Sequence, residues 1–368
     1  MGIKIAYSTN KNIDGAVKEV KDQINIPDPR LVIFFSSSNF NQDEIAKGIK
    51  KSFKNADVIG CSSSGEIVSG KMLNNSVVLM AFDKEAVNDV KVEVIKDLKN
   101  SPDPQTALDS FERYYKTPVS ELDFTKYFGI ILIDGLSGCE EKLMEQIGTK
   151  TNISFIGGSA GDDLKFKSTY VNANGTSYTN AAVLVLIKSN VKFDILKTQS
   201  FCQLDKRFTA TKVNEGQREI LQLDGENAID IYSKAIGSTN ETASSKFMSF
   251  PLGVMAGDEP FVRSPQQFSE HGIKFFCNVA EGTELTLLQS TDIVKDTQSD
   301  LDKKINEFGE PSGLINFNCI LRTLELQNKN QTEAYGNIFR NIPTIGFSTY
   351  GEEYIGHINQ TSVMILFK

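Results

Sequence analysis

The closing stretch of the chain, PTIGFSTYGEEYIGHINQTSVMILF (Pro343–Phe367), decides the fold. It reads as a short apolar strand (Thr344 to Phe347), a turn of small, aromatic and acidic residues (Ser348 to Glu353) and a final apolar run (Ser362 to Phe367). The same order is written twice upstream. VIGCSSSGEIVSG (Val58–Gly70) is followed by NNSVVLMAF, which ends at Phe82. FIGGSAGDD (Phe155–Asp163) is followed by NAAVLVLI, which ends at Ile187. Each copy is Ile-Gly, then a small-residue turn with a carboxylate, then a β-rich run. Such self-similarity predicts a repeated structural unit before any local propensity is consulted.

Working outward, each copy is preceded by a continuous apolar run: Leu31–Phe35, Phe128–Ile133 and Leu314–Ile320. Runs of this kind mark strands buried on both faces. Alternating stretches at Ile3–Ser8, Val90–Leu98 and Thr283–Leu288 predict a further strand ahead of each. Helices are expected at Ile13–Ile24, capped by Thr9 or Asn10, and at Gln42–Phe53, where Ile45, Ile49 and Phe53 share a stripe. Others are expected from Ser101-Pro102 to Tyr115, from Cys139 to Ile147, and from Thr291 or Asp292 to Phe308.

The unit is therefore β-α-β-α-β-β. Strand–helix–strand crossovers make parallel neighbours, and the hairpins after each turn add antiparallel ones. The expected fold class is α/β with mixed sheets. A degraded fourth copy is expected at LGVMAGDEPFVR (Leu252–Arg263), preceded by a helix at Glu226–Ala235. Pairing of units then gives two domains, 1–204 and 205–368. The stretch from Gly237 to Lys246 reads as a solvated loop tip.

A chain of 368 residues, 40% of them hydrophobic, can build sizeable cores. Its net charge of -8 and pI of about 5.1 argue against a broad phosphate-binding surface, so nucleic acid is not an expected partner. No apolar run reaches the roughly 18 residues of a membrane span, and the N-terminus, MGIKIAYSTNKN, has no signal-peptide core. Met1-Gly2 suggests myristoylation, but position 6 is Ala where that motif wants Ser or Thr. Cys61, Cys139, Cys202, Cys277 and Cys319 are widely spaced and odd in number. They suggest neither a disulfide framework nor a zinc site, and point to a reducing cytoplasm.

The recurring turns are Ser62-Ser63-Ser64-Gly65-Glu66, Gly158-Ser159-Ala160-Gly161-Asp162-Asp163 and Ser348-Thr349-Tyr350-Gly351-Glu352, with Ala256-Gly257-Asp258-Glu259 as the fourth, in the degraded copy. Small residues let a ligand approach the backbone, whose N–H groups can hold an anion. Carboxylates can hold an ammonium group, and hydroxyls add adaptable hydrogen bonds. The set suits a small zwitterion such as an amino acid. Gly-Glu and Gly-Asp pairs equally suit hairpin turns that need positive φ.

Arg322 is expected at the C-terminal end of the strand NFNCILR, as a clamp for a carboxylate or as the partner of a turn carboxylate. The predicted ligand contacts are Cys61, Ser62, Glu66, Gly158, Ser159, Asp162, Arg322, Phe347, Tyr350, Glu352 and Asn359. No catalytic or metal-binding residue is expected. Gly157-Gly158-Ser159-Ala160-Gly161 formally matches the GxSxG elbow of serine hydrolases, but the stretch that follows reads as a hairpin where that motif needs a helix. His271 and His357 are the only imidazoles available as a base or as a haem ligand.

These residues resemble the FIST proteins, in which N- and C-terminal FIST domains sit in tandem. The N-terminal resemblance rests on VIGCSSSGEI and on FIGGSAGDD with NAAVLVLI; the C-terminal one rests on GLINFNCILR and on PTIGFSTYGEEYIGHINQTSVMIL. The resemblance implies domains at 1–204 and 205–368 and a non-catalytic sensory role in signal transduction, with small ligands such as amino acids and no required cofactor. It implies an output partner such as a histidine kinase, a chemoreceptor or a cyclic-dinucleotide enzyme. It also implies an alternative as a haem-based nitric oxide sensor, which would need His357 or His271.

Overall fold

A computed structural model describes residues 2–368. The chain opens with β1 (Ile3–Ser8), α1 (Ile13–Gln23), β2 (Leu31–Ser37), α2 (Gln42–Ser52) and β3 (Asp57–Ser63). A hairpin, β4 (Glu66–Val68) and β5 (Lys71–Leu73), and a returning strand, β6 (Val77–Phe82), complete the first repeat. The second has the same order: β7 (Val87–Lys96), α3 (Gln105–Tyr115), β8 (Tyr127–Ile133), α4 (Glu140–Gly148), β9 (Phe155–Ser159), the hairpin β10 (Val171–Ala173) and β11 (Thr176–Tyr178), and β12 (Ala181–Ser189). β13 (Phe193–Gln199) opens the third.

The third repeat is interrupted in sequence. Two compact units result: one holds the chain up to Thr198 with Thr297–His357 and Ser362–Lys368, the other Gln199–Asp296 with Ile358–Thr361. The second unit carries β14 (Phe201–Asn214), β15 (Glu219–Leu223), β16 (Glu226–Asn227), α5 (Ala228–Ala235), α6 (Asn240–Ala243), β17 (Leu252–Ala256), β18 (Glu259–Arg263), β19 (Pro265–Phe268), β20 (Ile273–Phe275) and β21 (Glu284–Ser290). Its sheet runs β18-β17-β21-β14-β15-β20-β19, with β16 beside β15. Phe208, Leu223, Tyr232, Phe247 and Leu252 belong to its core. The third repeat resumes with α7 (Ile293–Phe308), β22 (Gly313–Cys319), α8 (Ile320–Asn328), α9 (Thr332–Ile338), β23 (Thr344–Thr349), the hairpin β24 (Glu352–Tyr354) and β25 (His357–Ile358), and β26 (Thr361–Phe367).

Several expectations are corrected here. The strand foreseen at Thr283–Leu288 is β21, which pairs with β14 and β17 in the second unit; the first strand of the third repeat is β13. No fourth copy forms at Leu252–Arg263. β17 and β18 make an antiparallel hairpin, and every pairing described within that sheet is antiparallel. Gly257, at φ +63, supplies its turn, so the likeness to the other turns came from shared hairpin chemistry. The stretch from Gly237 to Lys246 contains α6 and a short 3-10 turn. Asn12, not Thr9 or Asn10, caps α1, accepting from Gly15 N.

The three sheets of the first unit have one plan. Their orders are β1-β6-β2-β3-β10-β11, β7-β12-β8-β9-β24-β25 and β13-β26-β22-β23-β4-β5. The core strand and the Ile-Gly strand are parallel in all three (β2 with β3, β8 with β9, β22 with β23), as a helical crossover requires. The hairpin after each turn joins a different sheet. The first repeat gives β4–β5 to the third sheet, the third gives β24–β25 to the second, and the second gives β10–β11 to the first. Strand exchange therefore runs in a closed circle.

The core strands are buried along their whole length, because helices cover one face and the other sheets cover the opposite one. On the inner face Phe367 of the third sheet stacks against Phe82 of the first (5.2 Å between centroids) and Phe128 of the second (5.7 Å). The glycine of each Ile-Gly pair has a steric cause. A Cβ at Gly60, Gly157 or Gly346 would lie 2.3, 1.7 or 2.2 Å from the backbone oxygen of Phe34, Ile131 or Asn316, its register partner on the core strand.

Candidate functional site

Circular exchange brings the three recurring turns together. Ser64 N–H donates to Ser348 O (3.2 Å), Tyr350 N–H to Ser159 O (3.0 Å) and Gly161 N–H to Ser62 O (3.0 Å). In the Ile-Gly alignment the donors are one position and the acceptors another, so the contacts form a ring with threefold repetition. Ser348 N–H to Gly65 O (2.8 Å) and Ser159 N–H to Gly351 O (2.9 Å) reinforce it. Small residues are needed for this approach: a Cβ at Gly161 would lie 2.3 Å from Ser64 Oγ, and one at Gly158 2.6 Å from Thr349 Cγ2.

The carboxylates of the turns hold their own hairpins. Glu66, fully buried, accepts from Ser76 N–H (3.0 Å), Ser76 Oγ (2.5 Å) and Ser63. Burial pushes its carboxyl up, against these hydrogen bonds, to about 7. Glu352 accepts from Thr349 Oγ1 (2.6 Å), the same i to i+3 relation. Asp162 accepts from the N–H groups of Phe166, Lys167 and Ser168 (2.9, 2.7 and 3.1 Å) and from the Tyr350 hydroxyl. Burial opposes ionisation there, and those hydrogen bonds outweigh it, so its carboxyl lies below the usual range.

Asp162 thereby ties down a strap, residues 162–168, that crosses the junction. Asp163, Leu164 and Phe166 all adopt left-handed backbone angles (φ 56, 60 and 50). Leu164 N–H donates to Tyr350 Oη (2.7 Å), and Asp163 N–H to Ser64 Oγ (2.9 Å). The Phe166 ring packs 5.3 Å from that of Tyr350 while remaining 52% exposed.

The other predicted contacts are placed as follows. Ser62 donates to Gly161 O (2.8 Å) and accepts from Tyr170 N–H (3.0 Å). Cys61 is buried on β3; burial, with Glu66 nearby, pushes its thiol well up. Phe347 packs on Phe35 at 4.4 Å. Arg322 is not at a strand end. β22 stops at Cys319, and Arg322 lies in the first turn of α8, 1% exposed, where its partners include Asn318 Oδ1 (3.0 Å) and Thr297 Oγ1 (2.7 Å). Asn359 is a buried residue of the second unit, and neither amide atom has a hydrogen-bond partner among the described residues.

A second polar cluster lies where the turns of the second and third repeats meet. Ser159 Oγ is 3.4 Å from Glu140 Oε1 and 3.4 Å from Glu353 Oε1, and His357 Nδ1 is 2.9 Å from the same Glu353 oxygen. All four residues are buried, and Glu353 Oε2 has no hydrogen-bond partner among the described residues. Burial alone would lower the His357 imidazole; the Glu353 carboxylate, with Glu141 and Glu140, overcomes it and raises the imidazole to about 9. Stability from this pair should be fully present below the unfolded histidine value of about 6.5 and lost as pH rises through about 9. Glu66 adds the same sign, lost as pH rises through about 7. From pH 6 to 10 the stability is expected to fall by about 3 kcal/mol through His357 and about 1 kcal/mol through Glu66, read from melts along the series. A His357→Gln chain should lose most of that slope; an identical slope in both would contradict the assignment.

This geometry does not form a nucleophile elbow. β9 ends at Ser159, no helix follows before β10, and His357 bonds Glu353 rather than the Ser159 hydroxyl. His357 is 4% exposed and its ring is closely packed: a Cβ on Gly351 would lie 2.1 Å from its Cε1. His271 is exposed in the β19–β20 turn, 3.8 Å from Glu270. The described residues contain no group of three or more metal-type side chains suited to an ion.

Sequence reasoning missed Glu140 and Glu353, and missed a buried network on β22. Asn316 donates to Tyr335 and accepts from Ser362, and Asn318 accepts from Tyr335 and donates to Thr323, whose hydroxyl meets Ser348 Oγ at 2.8 Å. The available signal was the Asn-Phe-Asn alternation inside an otherwise apolar strand.

The family model of the FIST N domain matches residues 30–226, and that of the FIST C domain matches residues 228–354. The chain is also 24% identical over 334 residues to the uncharacterized protein MJ1623 of Methanocaldococcus jannaschii, a match covering 83% of this chain and 64% of that relative. The chain thus spans less than two thirds of the curated relative it matches.

Proposed function

This chain belongs to the FIST family, whose domains are associated with sensing in signal transduction, and on that premise we propose that it binds a small ligand at the junction of its three turns and passes the bound state to a partner protein. The observation that carries this proposal is the strap over the junction. Three non-glycine residues in left-handed conformations are a local strain that concentrates at ligand clamps and switches. A ligand that competes for Asp162, Tyr350 or Ser64 removes the bonds that hold the strap, and so changes the exposed surface of Leu164 and Phe166. The strap can be shifted only by as much as the ligand prefers one state over the other.

The role is non-catalytic, and the ligand is of amino-acid size. The output is read by a signalling protein such as a histidine kinase, a chemoreceptor or a cyclic-dinucleotide enzyme, in the cytoplasm. None of the described cysteines is in a disulfide, and no described helix is long and apolar enough to cross a membrane.

A thermal-shift screen of amino acids and related small molecules is the test. At a hundredfold excess over its dissociation constant a ligand should add about 2.7 kcal/mol. Hydrogen exchange at residues 163–168 should change with it. A ligand that stabilises the chain while leaving exchange in the strap and the turns unchanged would move the site elsewhere.

A further inference from the structure

The four-residue cluster of Ser159, Glu140, Glu353 and His357 is unlike the rest of the junction. The turn carboxylates Glu66, Glu352 and Asp162 are each engaged by hydroxyl or N–H donors supplied by their own repeat or a neighbouring turn. Glu353 is engaged on one side only. Its Oε1 faces His357 Nδ1 at 2.9 Å and Ser159 Oγ at 3.4 Å, whereas its Oε2 is buried with no hydrogen-bond partner among the described residues. A carboxylate oxygen stripped of water and left without a donor costs free energy, so a ligand that donates to it gains that energy on binding. The neighbouring groups define its chemistry. Glu140 Oε1 lies 3.4 Å from the Ser159 hydroxyl, and Glu140 is 2% exposed. Within the cluster two carboxylates stand against one imidazole, so a donor that also carries positive charge is favoured over a neutral one. The surroundings set its size. The turns pack tightly at Gly158 and Gly351, so a donor seated here must be a compact group rather than a planar guanidinium.

We propose that the cluster takes the ammonium group of a small primary amine, seated against Glu353 Oε2 between Glu140 and the Ser159 hydroxyl. This rests on the junction being the ligand site, and it names the chemical class that the site accepts. Ser159 orients the ammonium through its oxygen, and His357 holds the Glu353 carboxylate in place from the opposite edge.

The test is thermal melting of the full chain in ammonium, methylammonium, sodium and potassium chloride at equal ionic strength. Ammonium and methylammonium should raise the melting temperature along a saturating curve, beyond the shift given by the sodium and potassium salts. In Glu353→Gln, which keeps the volume and removes the charge, the half-saturating concentration should rise at least tenfold. Glu140→Gln should raise it in the same direction, and serves where Glu353→Gln does not fold. Equal shifts by all four salts in the unmodified chain would overturn the proposal without recourse to any variant. So would an ammonium effect unaltered in the variants. A larger ligand that stabilises the junction while ammonium does nothing would leave the sensing role standing and remove this assignment. Ammonium binding without any larger ligand would do the reverse.

Discussion

Gly157→Ala is expected to destabilise the protein by about 3 kcal/mol or more, at the upper end of what overpacking costs. The added Cβ would sit 1.7 Å from Ile131 O, a backbone atom of the parallel neighbour. A side chain in that position could rotate aside; a strand paired on both edges cannot. β9 is flanked by β8 and by the exchanged strand β24, so shifting it disturbs two ladders at once. Gly60→Ala and Gly346→Ala carry the same expectation at 2.3 and 2.2 Å. Gly148→Ala is the control, since a Cβ there meets nothing within 4 Å. Urea unfolding of the four variants checks this. Near-equal stability of Gly157→Ala and Gly148→Ala would mean that the strands are not packed as described.

The second large effect concerns the circle of exchanged hairpins. A chain ending after Ser189 keeps every residue of the first two repeats, yet it should not fold to a stable monomer. β9 would lose β24, with the pairs Gly158 to Glu352, Gly157 to Glu353 and Ile156 to Tyr354. The hairpin β4–β5 would lose β23 and project without a sheet. The Tyr350 N–H donated to Ser159 O and the Ser64 N–H donated to Ser348 O would vanish. Phe367 would leave the inner core between Phe82 and Phe128. Open strand edges and exposed aromatic rings favour association. Light scattering should show oligomers or aggregate, and denaturant unfolding should show no single cooperative step. A monomer with a sharp transition would show that the first two repeats are self-sufficient.

The repeat itself was legible because its cause is local. Ile-Gly recurs because only glycine fits over the core-strand oxygen, and the buried runs recur because both faces of each core strand are covered. What stayed hidden was long-range. Nothing in Glu66-Ile67-Val68 says that it pairs with Phe347, Gly346 and Ile345 rather than with its own repeat. The third repeat was assigned the wrong first strand because the insertion separates β13 from α7, and β21 lies at the expected distance in sequence. Arg322 was placed at a strand end because Ile320 and Leu321 extend the apolar run, although they already belong to α8.

The candidate site was legible in part for the same reason. The turn residues Ser62, Ser159, Tyr350 and Asp162 do come together, and the repeated pattern is what marked them. Glu353 was not among the expected contacts. Only the exchange of β24 onto β9 brings it to Ser159 and Glu140.

The most direct test of the interlocked junction is native-state hydrogen exchange at three amides, Ser64, Gly161 and Tyr350. Each closes one link of the ring. If the exchanged hairpins form one cooperative structure, all three should exchange only by global unfolding, with the same opening free energy and the same denaturant dependence. One of the three exchanging through a smaller local opening, while the other two remain protected, would contradict the closed circle.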